Sequence, residues 1–263
     1  MAFYIRVFLE VYDDSAAAQR GSLLIGNVYQ STQCPSFYTA THGTYNGRVI
    51  QPGRGPPVTT CTETGAPLKV GGPIWLGPLH DPEVVNEAIL RLEINGLQYP
   101  LKSHDMLHGL LTAVSEELVD VPLYYLLPDL CKVIGCVTPP MIKIKAALAN
   151  SGYKCSGQHK EPMAVKTDAP PKVIWDIMRT WTKLNSPQGK VYGEIAGKIM
   201  STEPEINVDF TIPPNFDKRK KAKRFPMNPE RDWGPKPKAR GKRKSPSNDI
   251  IGEERQEQTL ETK

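Results

Sequence analysis

The sequence predicts an α+β protein with a β-rich N-terminal part, a helical, winged-helix-like part and a disordered basic tail. Three observations lead to this prediction. Residues 1–12 alternate in hydrophobicity with the period of a strand, and from residue 82 onward apolar residues recur at helical spacing. Residues 217–244 carry 13 Lys and Arg against 3 Asp and Glu. Such a segment is typical of solvated disordered tails, and also of polyanion contacts or nuclear import signals.

The first element is a strand over residues 1–12. One face is formed by Phe3, Ile5, Val7, Leu9 and Val11. The opposite face also carries aromatic residues, which is typical of a strand with neighbours on both edges. Because it starts at residue 1, we expect the chain to begin inside a larger protein, with this segment as the last strand of a domain that is missing.

Residues 13–102 are predicted to form the β-rich subdomain. The stretches "SLLIGNVYQ" and "APLKVGG" are typical of strands, and the Gly- and Pro-rich residues 43–60 predict a long loop. A helix should follow, with Asp81 as its cap and Pro82 in its first turn.

Two cysteines in this subdomain each stand where one half of a Cys-x-x-Cys motif would be. Cys34 lies three positions after Ser31, and Cys61 lies three positions before Thr64. Two Cys-x-x-Cys pairs at this separation would predict zinc. Thiolate zinc sites need four ligands, hydroxyls are poor ones, and His42 is not suitably spaced. The spacing alone does not decide between a metal site that has lost half of its ligands and two unrelated thiols. We predict that no metal is bound.

Residues 103–212 are predicted to form the helical subdomain. "LPDLCKVIG" is a short helix closed by Gly135, and "PPMIKIKAALANSG" is a second helix capped by Thr138. Two short strands follow around the Ser-Gly-Gln-His-Lys-Glu loop. Helix, turn, helix and hairpin is the order of a winged helix-turn-helix, although an ordinary small α+β core with solvated lysines fits the same pattern.

The remaining elements are a helix, a weaker helix and a strand. Asp168 is predicted to cap the helix "APPKVIWDIMRTWTKL", a weaker helix lies near residues 190–200, and "INVDFTI" is predicted to be a strand. Residues 213–263 are polar, basic and Pro-rich, and are predicted to be a disordered basic tail.

Motifs for catalysis or membrane insertion are missing from the sequence. It contains neither G-x-G-x-x-G nor a Walker A motif, and no nucleophile signature. No apolar run approaches the ~18 residues of a membrane span. Five scattered cysteines predict reduced thiols rather than a disulfide framework. The residues alone therefore do not identify an enzyme.

Four stretches carry a family resemblance: "GGPIWLGPLHD" at 71–81, residues 120–159, "AVKTDAPPKVIWDIMRTW" at 164–181 and "RFPMNPERDWGPKP" at 224–237. Together they resemble the C-terminal domain of the eukaryotic tRNA (guanine-26, N2)-dimethyltransferase family. The resemblance implies a Rossmann-like methyltransferase domain that binds S-adenosylmethionine. On this interpretation that domain is missing here apart from its last strand, so no catalytic or cofactor-binding residue is assigned. We expect no S-adenosylmethionine on this chain and no activity from the chain alone.

The function implied by the resemblance is that of a tRNA-binding domain that positions tRNA for methylation of a guanine amine. Because phosphate contacts need cations, the predicted tRNA-binding residues are Lys143, Lys145, Lys154, Lys160, Lys166, Lys218, Arg219, Lys220, Lys221, Lys223, Arg224, Lys242, Arg243 and Lys244. The alternative is a non-catalytic, truncated paralogue that binds RNA or a protein partner. DNA binding is not expected, because the second helix carries Lys143 and Lys145 but no arginine to read base edges bidentately.

The resemblance also suggests an interpretation of the two cysteines and a cellular location for the protein. Many family members carry Cys-x-x-Cys where this sequence has Ser31 to Cys34 and Cys61 to Thr64. The region is thus interpreted as the remnant of a zinc site, held by packing instead of metal. The expected location is the nucleus, with the mitochondrion or cytoplasm as alternatives.

Overall fold

The computed structural model describes residues 11, 13–95, 101–187, 189, 191–214, 216 and 224. These residues mix helices and strands, which confirms the α+β class. The predicted strand at 1–12, except residue 11, and nearly all of the predicted tail lie outside them. In chain order the elements are α1 (Ser15–Gly21), β1 (Ile25–Ser31), β2 (Phe37–Thr41), β3 (Gly43–Tyr45), β4 (Ile50–Pro52), β5 (Leu68–Trp75), α2 (Pro82–Asn95), α3 (His104–Ser115), β6 (Tyr125–Leu126), α4 (Leu127–Ile134), α5 (Met141–Asn150), β7 (Cys155–Ser156), β8 (Ala164–Thr167), α6 (Pro171–Asn185) and α7 (Glu194–Ser201).

The first sheet is antiparallel, with the strand order β2-β1-β5. At its centre Tyr29 lies opposite Tyr38 on β2 and Val70 on β5. The pairing of β1 with β5 is interrupted by an irregularity between Gly26 and Val28. The predicted strands over β1 and β5 are confirmed, whereas β2 was not predicted.

A short hairpin, β3–β4, replaces part of the loop predicted over residues 43–60. The side-chain oxygen of Asn46 accepts hydrogen bonds from the backbone N–H groups of Arg48 (3.1 Å) and Val49 (3.0 Å). Gly47 has φ of +91°, which suits glycine. The Asn-Gly step is a known hairpin signal. The loop prediction overlooked it because Gly and Pro are dense on its C-terminal side.

Helices α2 and α3 pack against each other. As predicted, Asp81 caps α2, since its carboxylate accepts a hydrogen bond from the Glu83 N–H at 2.8 Å. The apolar stripe of α2 is only partly buried: Val85 and Ile89 lie inside, whereas Val84 is 65% exposed.

Helices α4 and α5 follow the predicted order, and α4 ends at Gly135 with φ of +64°. Helix α5 begins after Pro140 rather than after Thr138. The two prolines form the lead-in because the residue before a proline disfavours helical geometry. The second sheet is antiparallel, with the strand order β6-β8-β7.

Helix α6 lies in the core, where Trp175 is fully buried. Asp168 does not cap it. Its carboxylate instead accepts a hydrogen bond from the Lys154 N–H at 2.9 Å, which ties β7 to the start of the helix. The strand predicted over residues 206–212 does not form. The backbone carbonyls of this segment accept hydrogen bonds from a side chain of α5 instead of pairing with another strand.

One hydrophobic core joins the β-rich and helical parts. It contains Cys34 and Cys61 from the first part and Leu127 and Trp175 from the second. The Trp175 indole N–H donates to the Ser36 hydroxyl at 2.8 Å. Among the residues that the structure describes, no helix has the length and apolar character needed to cross a bilayer.

Candidate functional site

Ser31, Cys34, Cys61 and Thr64 form a buried group, here called the thiol–hydroxyl cluster. The turn after β1 carries Cys34, and the loop before β5 carries Cys61. Their sulfur atoms are 3.5 Å apart. All four residues are buried. The fold thus brings together the four positions that the sequence singled out.

The two thiols differ in acidity because one donates a hydrogen bond to the other. Accepting the hydrogen bond of Cys34 lowers the pKa of Cys61 to about 4. The same bond, together with burial, raises the pKa of Cys34 well above its ordinary range.

A metal site at this cluster would need further ligands. Within the described part of the chain, no group of three or more His, Cys, Asp or Glu side chains is placed to hold an ion. His42, considered as a third ligand, does not complete such a group. The two thiols and two hydroxyls of the cluster can form hydrogen bonds with one another. That the cluster binds no metal stays a prediction.

A buried ionic network lies on the same side of the core. The Arg179 guanidinium contacts Asp176 Oδ1 at 2.6 Å, contacts Glu63 Oε2, and donates through Nε to the Ile199 carbonyl at 2.7 Å. Sequence reasoning missed this network. The available signal was a pair of opposite charges spaced i, i+3 among the apolar residues at the centre of the helix.

The predicted lysines of the helical part fall into three environments. Lys154 and Lys160 are exposed; Lys154 directly precedes β7, and Lys160 lies in the loop between β7 and β8. Lys143 is half-buried. Lys145 and Lys166 are buried, at 5% and 1% exposure. As placed here, the last two do not present a cation on the surface, and tRNA contact by any of the five stays a prediction.

Lys166 is buried because Glu117 neutralises it. Its ammonium lies 2.9 Å from Glu117 Oε2 and donates to the Leu118 carbonyl at 3.2 Å. The other carboxylate oxygen, Oε1, bonds the His159 ring nitrogen Nδ1 at 2.7 Å and the His159 backbone N–H. This network ties the loop after β7 to the end of α3.

The outer face of α5 is covered by residues 209–211, here called the cover segment. The Asn150 amide donates to the carbonyls of Asp209 and Thr211, both at 2.9 Å. The Lys143 ammonium donates to the Phe210 carbonyl at 3.1 Å. The Phe210 ring meets Trp181 edge-on, with the ring centres 5.5 Å apart. These contacts hold the cover segment against Lys143 and Asn150 of α5.

Of the predicted basic contacts beyond residue 216, the structure describes Arg224. Its Nε donates to Glu116 Oε2 at 2.6 Å. Outside the described residues lie Lys218, Arg219, Lys220, Lys221, Lys223, Lys242, Arg243 and Lys244.

The chain matches a family model described as N2,N2-dimethylguanosine tRNA methyltransferase, over residues 1–179. Similar curated proteins include tRNA (guanine(26)-N(2))-dimethyltransferase 2 of Arabidopsis thaliana, 37% identical, over 97% of this chain and 44% of that protein. The tRNA (guanine(26)-N(2))-dimethyltransferase of Mus musculus is 36% identical, over 96% of this chain and 40% of that protein. The chain thus spans less than half the length of these relatives.

A solved structure of Trm1 from Pyrococcus horikoshii in complex with S-adenosyl-L-methionine is also similar. It is 25% identical with a TM-score of 0.40, over 57% of this chain and 34% of that one.

These matches correct part of the sequence-based interpretation. The chain was expected to be a C-terminal, tRNA-binding domain, or a non-catalytic paralogue, outside the methyltransferase region. The methyltransferase family model instead matches from residue 1. The same finding overturns the expectations that the chain is inactive alone and binds no S-adenosylmethionine, because both assumed a missing methyltransferase domain.

The match extends over residues 1–179 of 263, and the relatives align along nearly the whole chain. It does not depend on one short motif, since it includes both the β-rich part and most of the helical part. The chain belongs to the N2,N2-dimethylguanosine tRNA methyltransferase family.

Proposed function

We propose that the chain acts in the dimethylation of the exocyclic amine of guanine 26 in tRNA. The observation that carries this proposal is the family match from residue 1, together with relatives whose names state this activity. The methyl groups would be supplied by S-adenosylmethionine. Each of two successive transfers would break a sulfur–methyl bond, form a bond to the guanine nitrogen, and release S-adenosylhomocysteine and one proton, so that the amine becomes a dimethylamino group.

The described residues do not include a fitting site for S-adenosylmethionine. The sequence contains no G-x-G-x-x-G turn, and the strands described here pair in antiparallel fashion. No residue of this chain is therefore assigned to the cofactor, and no catalytic step is derived through it.

We propose further that residues from α3 to β8 form a winged helix. The order α3, β6, α4, α5, β7, β8 and the sheet order β6-β8-β7 support this assignment. In this arrangement the hairpin β7–β8 is the wing. The cover segment lies across α5, so the wing rather than α5 is the surface open to tRNA.

Lys154, directly before the wing, and Lys160, in the loop of the wing, are proposed to contact tRNA phosphates. Both are exposed, and neither has an ion-pair partner within the described ranges. Phosphate contacts of this kind fix the position of a nucleic acid without reading its sequence. Lys143 is a weaker candidate because its ammonium is bonded to the Phe210 carbonyl.

The proposed activity is tested with isotope-labelled S-adenosylmethionine and two tRNA transcripts, one with guanine and one with adenine at position 26. We expect the chain to label the guanine transcript alone, with a dimethylated product. Equal labelling of both transcripts would overturn the site specificity. A chain that labels neither transcript would overturn the proposed activity, and one that also binds neither would overturn any role on tRNA.

A nuclear location is part of the proposal and is supported by the basic composition of residues 217–244. A fluorescent fusion of the chain is compared with one in which this segment is deleted. Nuclear signal that is lost on deletion would support the proposal, whereas signal confined to mitochondria or cytoplasm would contradict it.

A further inference from the structure

A cleft of about 820 Å³ lies between helix α1 and the hairpin β3–β4. Its two walls are fastened together at the base. The Gly43 N–H donates to the Ser22 carbonyl at 2.7 Å, and a Cβ at Gly43 would lie 2.4 Å from the Ser22 hydroxyl. The opposite wall is shaped by the Asn46 turn described above. The cleft is therefore built by the fold and is large enough for a nucleotide.

The walls are largely apolar, with Ala16, Ala18, Leu23, Val49 and Ile50 among the lining residues, and they also carry cationic and aromatic groups. Arg20 lines the cleft from α1, and Arg48 and Tyr45 line it from the hairpin. Tyr45 is 60% exposed although it is aromatic. No Asp or Glu is among the residues that line the cleft.

The charges in the cleft are incompletely neutralised. Arg20 has a partner in Asp14, but at 3.9 Å the pair is at the limit of an ion pair. Arg48 has no ion-pair partner in the part of the chain that the structure describes. Both guanidinium groups can therefore accept an anion with little loss of existing contacts.

We propose that this cleft binds an unpaired nucleotide of the tRNA substrate, with its base on the Tyr45 ring and its phosphates between Arg20 and Arg48. The proposal rests on the proposed function. Unpaired RNA is commonly held by bases stacked on aromatic side chains and by guanidinium contacts to phosphate. An acidic peptide would satisfy the arginines but would leave the exposed Tyr45 ring without a role.

The test measures binding of a fluorescent tRNA transcript to the full chain at several salt concentrations. Tyr45→Leu should weaken binding at least about fivefold, while Tyr45→Phe, which keeps the ring, should stay within about twofold. The double variant R20A/R48A should reduce the slope of log affinity against log salt by about 1 to 2. Arg91→Ala is the matched control, since it removes an exposed arginine of α2 that is paired with Glu87.

Several outcomes would overturn the proposal. The first is a Tyr45→Leu variant that binds tRNA as tightly as the wild type, or that loses no more affinity than Tyr45→Phe. The second is a change in salt slope in Arg91→Ala as large as that in R20A/R48A. The third is displacement of tRNA by poly-glutamate as efficiently as by unlabelled tRNA. A wild-type chain that does not bind tRNA would overturn both this proposal and the proposed function. Ring-dependent tRNA binding without methyl transfer to guanine 26 would support the cleft and contradict the activity, so the two failures are distinguishable.

Discussion

At the scale of single residues, Arg179 is a buried charge whose replacement should be costly. Its guanidinium is fully buried between two carboxylates that are themselves almost inaccessible to water. Replacing it with methionine would leave Glu63 and Asp176 uncompensated in the core. Because an unpaired buried charge is costly, we expect Arg179→Met to lower the free energy of unfolding by about 3–5 kcal/mol. Urea unfolding monitored by circular dichroism measures this change.

Two further variants calibrate the Arg179 prediction. Arg91→Ala breaks an exposed pair at i, i+4 and should cost only about 0.3–0.5 kcal/mol. The triple variant Arg179→Met, Glu63→Gln, Asp176→Asn removes the stranded charges and should recover part of the loss. A single variant as stable as the wild type would show that the buried network does not hold α6 to the loop before β5.

The thiol pair allows a second prediction at this scale. Cys34→Ala removes the hydrogen-bond donor to Cys61, so the pKa of Cys61 should rise from about 4 toward its ordinary value of about 8.5. Thiolate absorbance in the ultraviolet, followed against pH, measures the shift. Cys155→Ala is the control, because that half-buried thiol lies outside the cluster. An unchanged titration in Cys34→Ala would contradict the assignment of donor and acceptor.

The same shift has a consequence for stability. A thiol whose pKa is lower in the folded state contributes stability at pH values above its unfolded pKa, and this contribution is lost as the pH falls toward its folded pKa. The stability difference between the wild type and Cys34→Ala should therefore widen as the pH rises from about 5 to about 8. Above that range the raised pKa of Cys34 acts in the opposite direction.

At the scale of elements, the cover segment depends on Asn150. Its amide donates two hydrogen bonds to backbone carbonyls. Each such bond contributes no more than about 0.5–1.5 kcal/mol to the free energy that holds the segment in place. In Asn150→Ala, we expect amide hydrogen exchange over residues 206–212 to accelerate, with little effect on α6. Ser115→Ala is the control, because that hydroxyl also donates to a backbone carbonyl, that of Thr112 in α3, and neither residue is hydrogen-bonded to the cover segment in the part of the chain that the structure describes. Unchanged exchange in Asn150→Ala would show that ring packing alone holds the segment.

Elements whose ends are fixed by local chemistry were predictable from the sequence. The Asp81 cap and the left-handed Gly135 are examples, since both depend on residues within one helical turn. Residues 206–212 were not predictable. They alternate like a strand, yet their bonding partner is an asparagine about 60 positions earlier. The burial of Arg179 was missed for a related reason. The periodicity of apolar residues cannot predict that a charged side chain is buried when its partner lies in a loop far away in the sequence.

At the scale of the whole molecule, the thiol–hydroxyl cluster shows how the two parts depend on each other. The positions of Ser31, Cys34, Cys61 and Thr64 were visible in the sequence, but not their burial under α6. The Ser36 hydroxyl lies 3.2 Å from Cys34 Sγ and accepts the Trp175 indole N–H. The cluster is thereby connected to the central helix, so its packing and the helical core should be lost together on unfolding.

Charge is distributed unevenly along the whole chain, and this gives the last prediction. The net charge is +5, but residues 217–244 alone carry 13 Lys and Arg against 3 Asp and Glu. Each phosphate neutralised by the protein contributes about 0.7–0.9 to the slope of log affinity against log salt. Deleting residues 217–244 should therefore weaken tRNA binding and flatten this slope, as measured by fluorescence anisotropy. Deleting the acidic residues 245–263 is the control and should leave the slope in place or steepen it. An unchanged slope after the first deletion would confine the phosphate contacts to the rest of the chain, namely the wing lysines and the arginines beside Tyr45.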